Sequence, residues 1–166
     1  MLEELKYLFE NSKIEDIYTI GFVGVEGEEY QYYPLYNYLF IELGNKIIRL
    51  EANQENLRLS FKIVDGMDYQ FEIDEEMLYA KSSINTIVLD DIWSASNNVK
   101  EVLFYGLDEL SNSCLAAEII LLNGQVIFLD PSYEFGINIG GERLKEAWKD
   151  NCSGAEKIKL SRICIS

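Results

Sequence analysis

The chain has 166 residues, the scale of one domain, and its 48% hydrophobic and 13% aromatic content supplies enough apolar surface for a proper core. Twenty-nine acids against 14 bases leave a formal charge of −15, which repels phosphate backbones and anionic lipid and argues against nucleic acid or membrane as a direct partner. Histidine is absent, and with it Ser-His-Asp triads, Cys-His dyads and His-ligated metal.

The opening MLEELKYLFE places Leu2, Leu5 and Phe9 at helical spacing, with Glu3 and Glu4 in the first turn where the helix dipole favours acids. It also carries acids where a secretory signal has basic residues, and no apolar run approaches the ~18 residues of a membrane span, so the chain is expected in the cytoplasm. From Asp16 onward, short runs of Ile, Val, Tyr, Phe and Leu broken by Gly and Asn predict antiparallel sheet.

In the segment 38–51 the two-residue loop Gly44-Asn45 pairs Leu43 with Lys46, Ile41 with Ile48 and Leu39 with Leu50 on a core face. Tyr38, Phe40, Glu42, Ile47, Arg49 and Glu51 then share a face suited to partial exposure. Two further alternating runs, 57–64 and 69–74, predict a hairpin with a three-residue loop of Asp65, Gly66 and Met67, setting Phe61 against Phe71 with Gly66 at or near positive φ. Asn123-Gly124 joins the strands 118–122 and 125–130, whose two apolar faces predict a central pair. A helix over 142–151 presents Leu144, Ala147 and Trp148 on one face. The last strand, 157–165, shifts phase between Leu160 and Ile163, which predicts a bulge near Ser161-Arg162. The expected fold is α+β: one domain over 1–166 holding an antiparallel, meander-like sheet of about seven to nine strands, curved or doubled, with a short helix near each terminus.

Chemistry-bearing patterns are sparse. Cys114, Cys152 and Cys164 are odd in number and widely spaced, which suits core positions rather than disulfides or a zinc pair. Gly21, Gly24 and Gly27 have phosphate-loop spacing, but no helix follows and Glu26, Glu28 and Glu29 repel phosphate, so a strand and turn are expected. The acids at 74–76, 90–91 and 108–109 are expected to be solvated loops, and nothing calls for a cofactor or a metal. Asp90 and Asp91 stand apart because Trp93 adds an aromatic anchor beside them.

Tyrosine is the most informative type: five of the 11 fall between residues 30 and 38. In an extended segment the even-numbered Tyr30, Tyr32, Tyr36 and Tyr38 share one partly exposed face, just after Glu26, Glu28 and Glu29. Rigid aromatics bordered by acid suit a basic partner. Charge follows the same division, with eight acids and two bases in residues 1–40 and 11 acids and two bases in 65–109, whereas 141–166 is mildly basic.

Small size, acidity, an aromatic stripe and no catalytic apparatus together are similar to the general character of bacterial immunity proteins, which mask the basic sites of nuclease toxins. That resemblance covers the whole chain, matches no motif and carries no residue over. It implies a non-enzymatic protein that binds a basic partner, a toxin being the example, through Glu26, Glu28, Glu29, Tyr30, Tyr32, Tyr36 and Tyr38 with Asp90, Asp91 and Trp93. The alternatives are a metal-dependent hydrolase using clustered carboxylates and a subunit of a larger assembly, including a homo-oligomer.

Overall fold

The computed structural model of the chain describes residues 2–53, 55, 57–67, 71–91, 97–152 and 154–165. Among them, eleven antiparallel strands form two sheets with three short helices. The first sheet holds β1 (Ile14–Glu26), β2 (Glu29–Leu43), β3 (Lys46–Asn53), β4 (Arg58–Val64), β5 (Leu78–Ser83) and the two-residue β7 (Ser113–Cys114), in the order β5-β1-β2-β3-β4-β7. The second holds β6 (Val99–Tyr105), β8 (Ala116–Leu121), β9 (Val126–Tyr133), β10 (Gly136–Gly140) and β11 (Leu160–Cys164), in the order β10-β9-β8-β6-β11. Helices α1 (Leu2–Asn11) and α3 (Glu142–Asn151) lie near the termini, as the sequence predicts, and the single turn α2 (Asn85–Val88) follows β5. No described helix is long and apolar enough to cross a membrane.

The two sheets share one core. Leu39, Ile41, Ile48 and Phe61 from the first meet Phe104, Ile119, Ile127 and Leu129 from the second, and α1 adds Leu5, Leu8 and Phe9. Stacked rings of Phe61 and Phe104, 5.1 Å apart, tie the layers together. On the outer face of the second sheet, Tyr105 and Phe128 pack against Trp148 of α3, so β8 and β9 are covered on both faces. That cover is why both of their faces are apolar.

The β2–β3 register is the predicted one, with Leu43 opposite Lys46 and Leu39 opposite Leu50. Gly44 has φ +60, the conformation a two-residue hairpin loop asks of its first member. Elsewhere the structure corrects the sequence-based expectation. Ile120 pairs with Val126 and the Leu121 N–H bonds the Gln125 carbonyl, so the β8–β9 loop holds the three residues 122–124, with Gly124 at φ +88 and the Asn123 side chain accepting the Gln125 N–H. Residues 71–74 form no strand, 68–70 lie outside the described residues, and Gly66 has no positive φ. The free side of β4 is taken by β7 instead, and Arg58 locks that junction with bonds to the Ser113 hydroxyl (2.8 Å) and the Gly106 carbonyl (2.6 Å). Phe71 packs against Tyr38 and Tyr79, covering the outer face of the first sheet. On that face Tyr38 and Phe40 are buried with Ile20, whereas Glu42, Ile47, Arg49 and Glu51 are partly exposed as expected. No bulge interrupts β11, whose register with β6 runs unbroken; the apolar phase shifts because Leu160 lies on the exposed face of the strand and Ile163 on the buried one.

Candidate functional site

The tyrosine segment breaks where β2 crosses from its hairpin with β1 into its pairing with β3. Tyr18 opposes Phe40 but Ile20 opposes Leu35, so one residue of β1 faces four of β2. An even residue of β2 shares a face with even residues of β1 before this bulge, and an odd one after it. Tyr33 therefore joins Phe22 on the outer face, their rings stacked at 5.1 Å, while Tyr30 and Tyr32 pair with Val25 and Val23 on the inner face. The expected single stripe is thus divided. Tyr38 is buried outward, Tyr30 and Tyr32 lie inward along the hairpin, and Tyr36 sits in the bulge, 55% exposed.

Glycine fixes what faces Tyr36. At the start of β10, Gly136 has φ +124, and a Cβ there would lie 2.3 Å from the Tyr36 carbonyl carbon. Only a residue without a side chain lets the β9–β10 turn seat on the bulge. The turn carries Tyr133 and Phe135, which are 49% and 64% exposed and meet edge to face at 5.5 Å.

Tyr36 and Phe135 form a ridge with a depression on each side, because both residues line both depressions. The deeper, of about 910 Å³, has aliphatic walls from Leu39, Val88, Ile127, Ile137 and Ile139, and its rim includes Tyr133 and Ile87, the latter 83% exposed. Its polar lining includes Thr19, Gln125, Asn138, Asp90 and Glu142. The more open one, of about 670 Å³, is bordered by Glu51 and Glu55. Among the described residues, neither depression is lined by a base. The exposed aromatic ridge thus has acid on both sides.

Local bonds hold this surface. Gln125 donates to the Val88 carbonyl at 2.6 Å and accepts the Asp90 N–H at 3.1 Å, pinning the segment after α2 to the start of β9. The Tyr32 hydroxyl donates to the Thr19 carbonyl at 3.3 Å, so the inner face of the β1–β2 hairpin runs into the deeper depression. Glu26, Glu28, Glu29 and Tyr30 are exposed around the hairpin turn, where Gly27 has φ +66.

Of the residues singled out in the sequence, Tyr36, Tyr38 and Asp90 line the deeper depression, Tyr38 as a buried backing. Tyr32 adjoins it, Glu26, Glu28, Glu29 and Tyr30 stand on the hairpin leading to it, Asp91 is exposed beside Asp90, and Trp93 lies outside the described residues. Sequence reasoning missed Tyr133, Phe135, Ile87, Glu51, Glu55 and Glu142. One signal was available: two aromatics flanking Glu134 in the run after Pro131, where solvated polar residues are usual in a turn.

Asp108, one of the acids outside this surface, is bonded within its own turn. The Asp108 carboxylate accepts the Ser111 hydroxyl and the Leu110 N–H, which holds it below the ordinary carboxylate range. Among the described residues, no group of three or more Cys, Asp or Glu is placed to hold a metal ion. Burial pushes the Cys114 thiol up to about 12, so it carries no thiolate near neutrality. No protein-family model, curated protein or solved structure matches this chain.

Proposed function

We propose that this chain is a non-enzymatic binding protein of the cytoplasm that masks a basic protein partner, in the manner of the immunity proteins whose general character it resembles. The observation that carries this reading is the Tyr36–Phe135 ridge with acids and, among the described residues, no base lining the depressions on either side. Rigid aromatics supply contact area at low entropic cost, and the surrounding acids select a cationic surface. The acids of the β1–β2 hairpin extend the same sign of charge along the approach and steer a basic partner before contact. Three cysteines free of disulfides are compatible with a reducing compartment.

The experiment is a titration against candidate basic proteins at rising salt, beginning with any that a neighbouring gene encodes. Binding that weakens with salt and falls about tenfold or more in Phe135→Ala supports the reading, since central aromatics carry most interface energy. Binding indifferent to both, or the absence of binding at low salt, overturns it.

A further inference from the structure

We infer that the deeper depression seats one arginine side chain of that basic partner, its stem against the aliphatic walls and its guanidinium at the Asp90 carboxylate. The inference rests on the binding reading above and names what the site grips.

Charge decides the sign. The depression is lined by two carboxylates, but Glu142 is shared with Lys145 at 3.2 Å. Asp90 has no ion pair among the described residues, and Gln125 holds its main chain in place, so one unpaired acid is left for one cation. An anion would meet repulsion, and a wholly apolar group would strip water from Asp90 without replacing its hydrogen bonds.

Shape decides the cation. The cavity, of about 910 Å³, is far larger than an ammonium needs, and aliphatic and aromatic residues together form most of its walls. A guanidinium is planar, weakly hydrated and able to lie on a ring face while giving two parallel N–H bonds to a carboxylate. Tyr36, Tyr133 and Phe135 supply the ring faces at the rim. A lysine ammonium would keep its water and use the walls poorly.

The test titrates the protein with penta-arginine, penta-lysine, pentacitrulline and n-butylguanidine at low salt. Citrulline keeps the shape of arginine without its charge. Penta-arginine is expected to bind, with penta-lysine about threefold weaker and pentacitrulline at least about tenfold weaker. Asp90→Asn and Tyr36→Ala should each weaken penta-arginine about fivefold or more, with thermal midpoints unchanged because both sites are exposed. Equal affinity for pentacitrulline, or indifference to Asp90→Asn while the joint change of Glu26, Glu28 and Glu29 to Gln weakens penta-arginine, overturns the arginine seat and leaves the wider reading standing. n-Butylguanidine binding as tightly as penta-arginine overturns a peptide as the source of the cation. No binding of any basic peptide at low salt overturns both.

Discussion

Two regions of this molecule are built from tyrosine, acid and an apolar surround, yet they do different work. Between the second sheet and α3, Glu118 is 1% exposed and receives the Tyr105 hydroxyl at 2.6 Å and the Lys145 ammonium at 2.7 Å. Lys145 turns back to Glu142, and Trp148 closes over Tyr105. A charge so buried persists only because each of its oxygens has a partner. At the ridge, Tyr36, Phe135 and Asp90 are exposed, and no ion pair within the described residues neutralises Asp90. The same residue types make a structural clamp where their bonding capacity is filled, and an exposed ridge, proposed above as a binding surface, where it is left open.

Breaking the clamp should produce the largest effect. Lys145→Met leaves Glu118 buried with only Tyr105 beside it and should cost ~3–5 kcal/mol in chemical denaturation. Adding Glu118→Gln should recover much of that loss; a double variant no better than the single would refute the pairing argument. Next comes the junction that builds the ridge. Gly136→Ala drives a Cβ into the Tyr36 backbone at a left-handed φ and should cost about 2 kcal/mol or more while abolishing partner binding.

Tyr105→Phe removes one of two partners of Glu118 and should cost ~1–2 kcal/mol. Its pH dependence sharpens the comparison. Burial, followed by the bond to Glu118, raises the Tyr105 hydroxyl above its ordinary value, and Tyr18 is raised by burial and by its bond to Glu42. Lys145 is also raised: its bonds to Glu118 and Glu142 outweigh the opposing effect of burial. A group with a raised folded pKa binds more protons native than unfolded, so its contribution is complete below its unfolded value and lost as pH climbs past it. Thermal midpoints should therefore fall above roughly pH 10, with a shallower fall in Tyr105→Phe. A midpoint flat through that range would contradict the clamp. The smallest stability effect belongs to the ridge: Phe135→Ala should change unfolding free energy by less than ~0.5 kcal/mol while weakening partner binding, the inverse of the Lys145 result.

Much of the fold is legible in the residues because its causes are local. The helix periods at Leu5 and Phe9 and at Leu144 and Trp148, and the Gly44-Asn45 turn with its register, each follow from neighbours in sequence. The segment around Phe71 is not legible in that way. Its alternation is that of a strand, but the edge of β4 is occupied by β7 and the outer sheet face needs a cover. Competition for a partner cannot be read from a period. Aromatic content and negative charge point to a candidate site, and Tyr36 and Asp90 are found there. Phe135 reaches it from the other sheet, a hundred residues along the chain.

The α+β class, the antiparallel habit, the terminal helices, the negative field and the absence of histidine chemistry all follow from composition or short-range spacing. Which way the tyrosines point is settled by packing alone. A strand's faces alternate with period two, so a bulge of one residue against four reverses every side chain beyond it. The ridge and its depressions likewise exist only where β2, the segment after α2 and the β9–β10 turn are brought together, because concavity belongs to packed surfaces and not to any one stretch of chain.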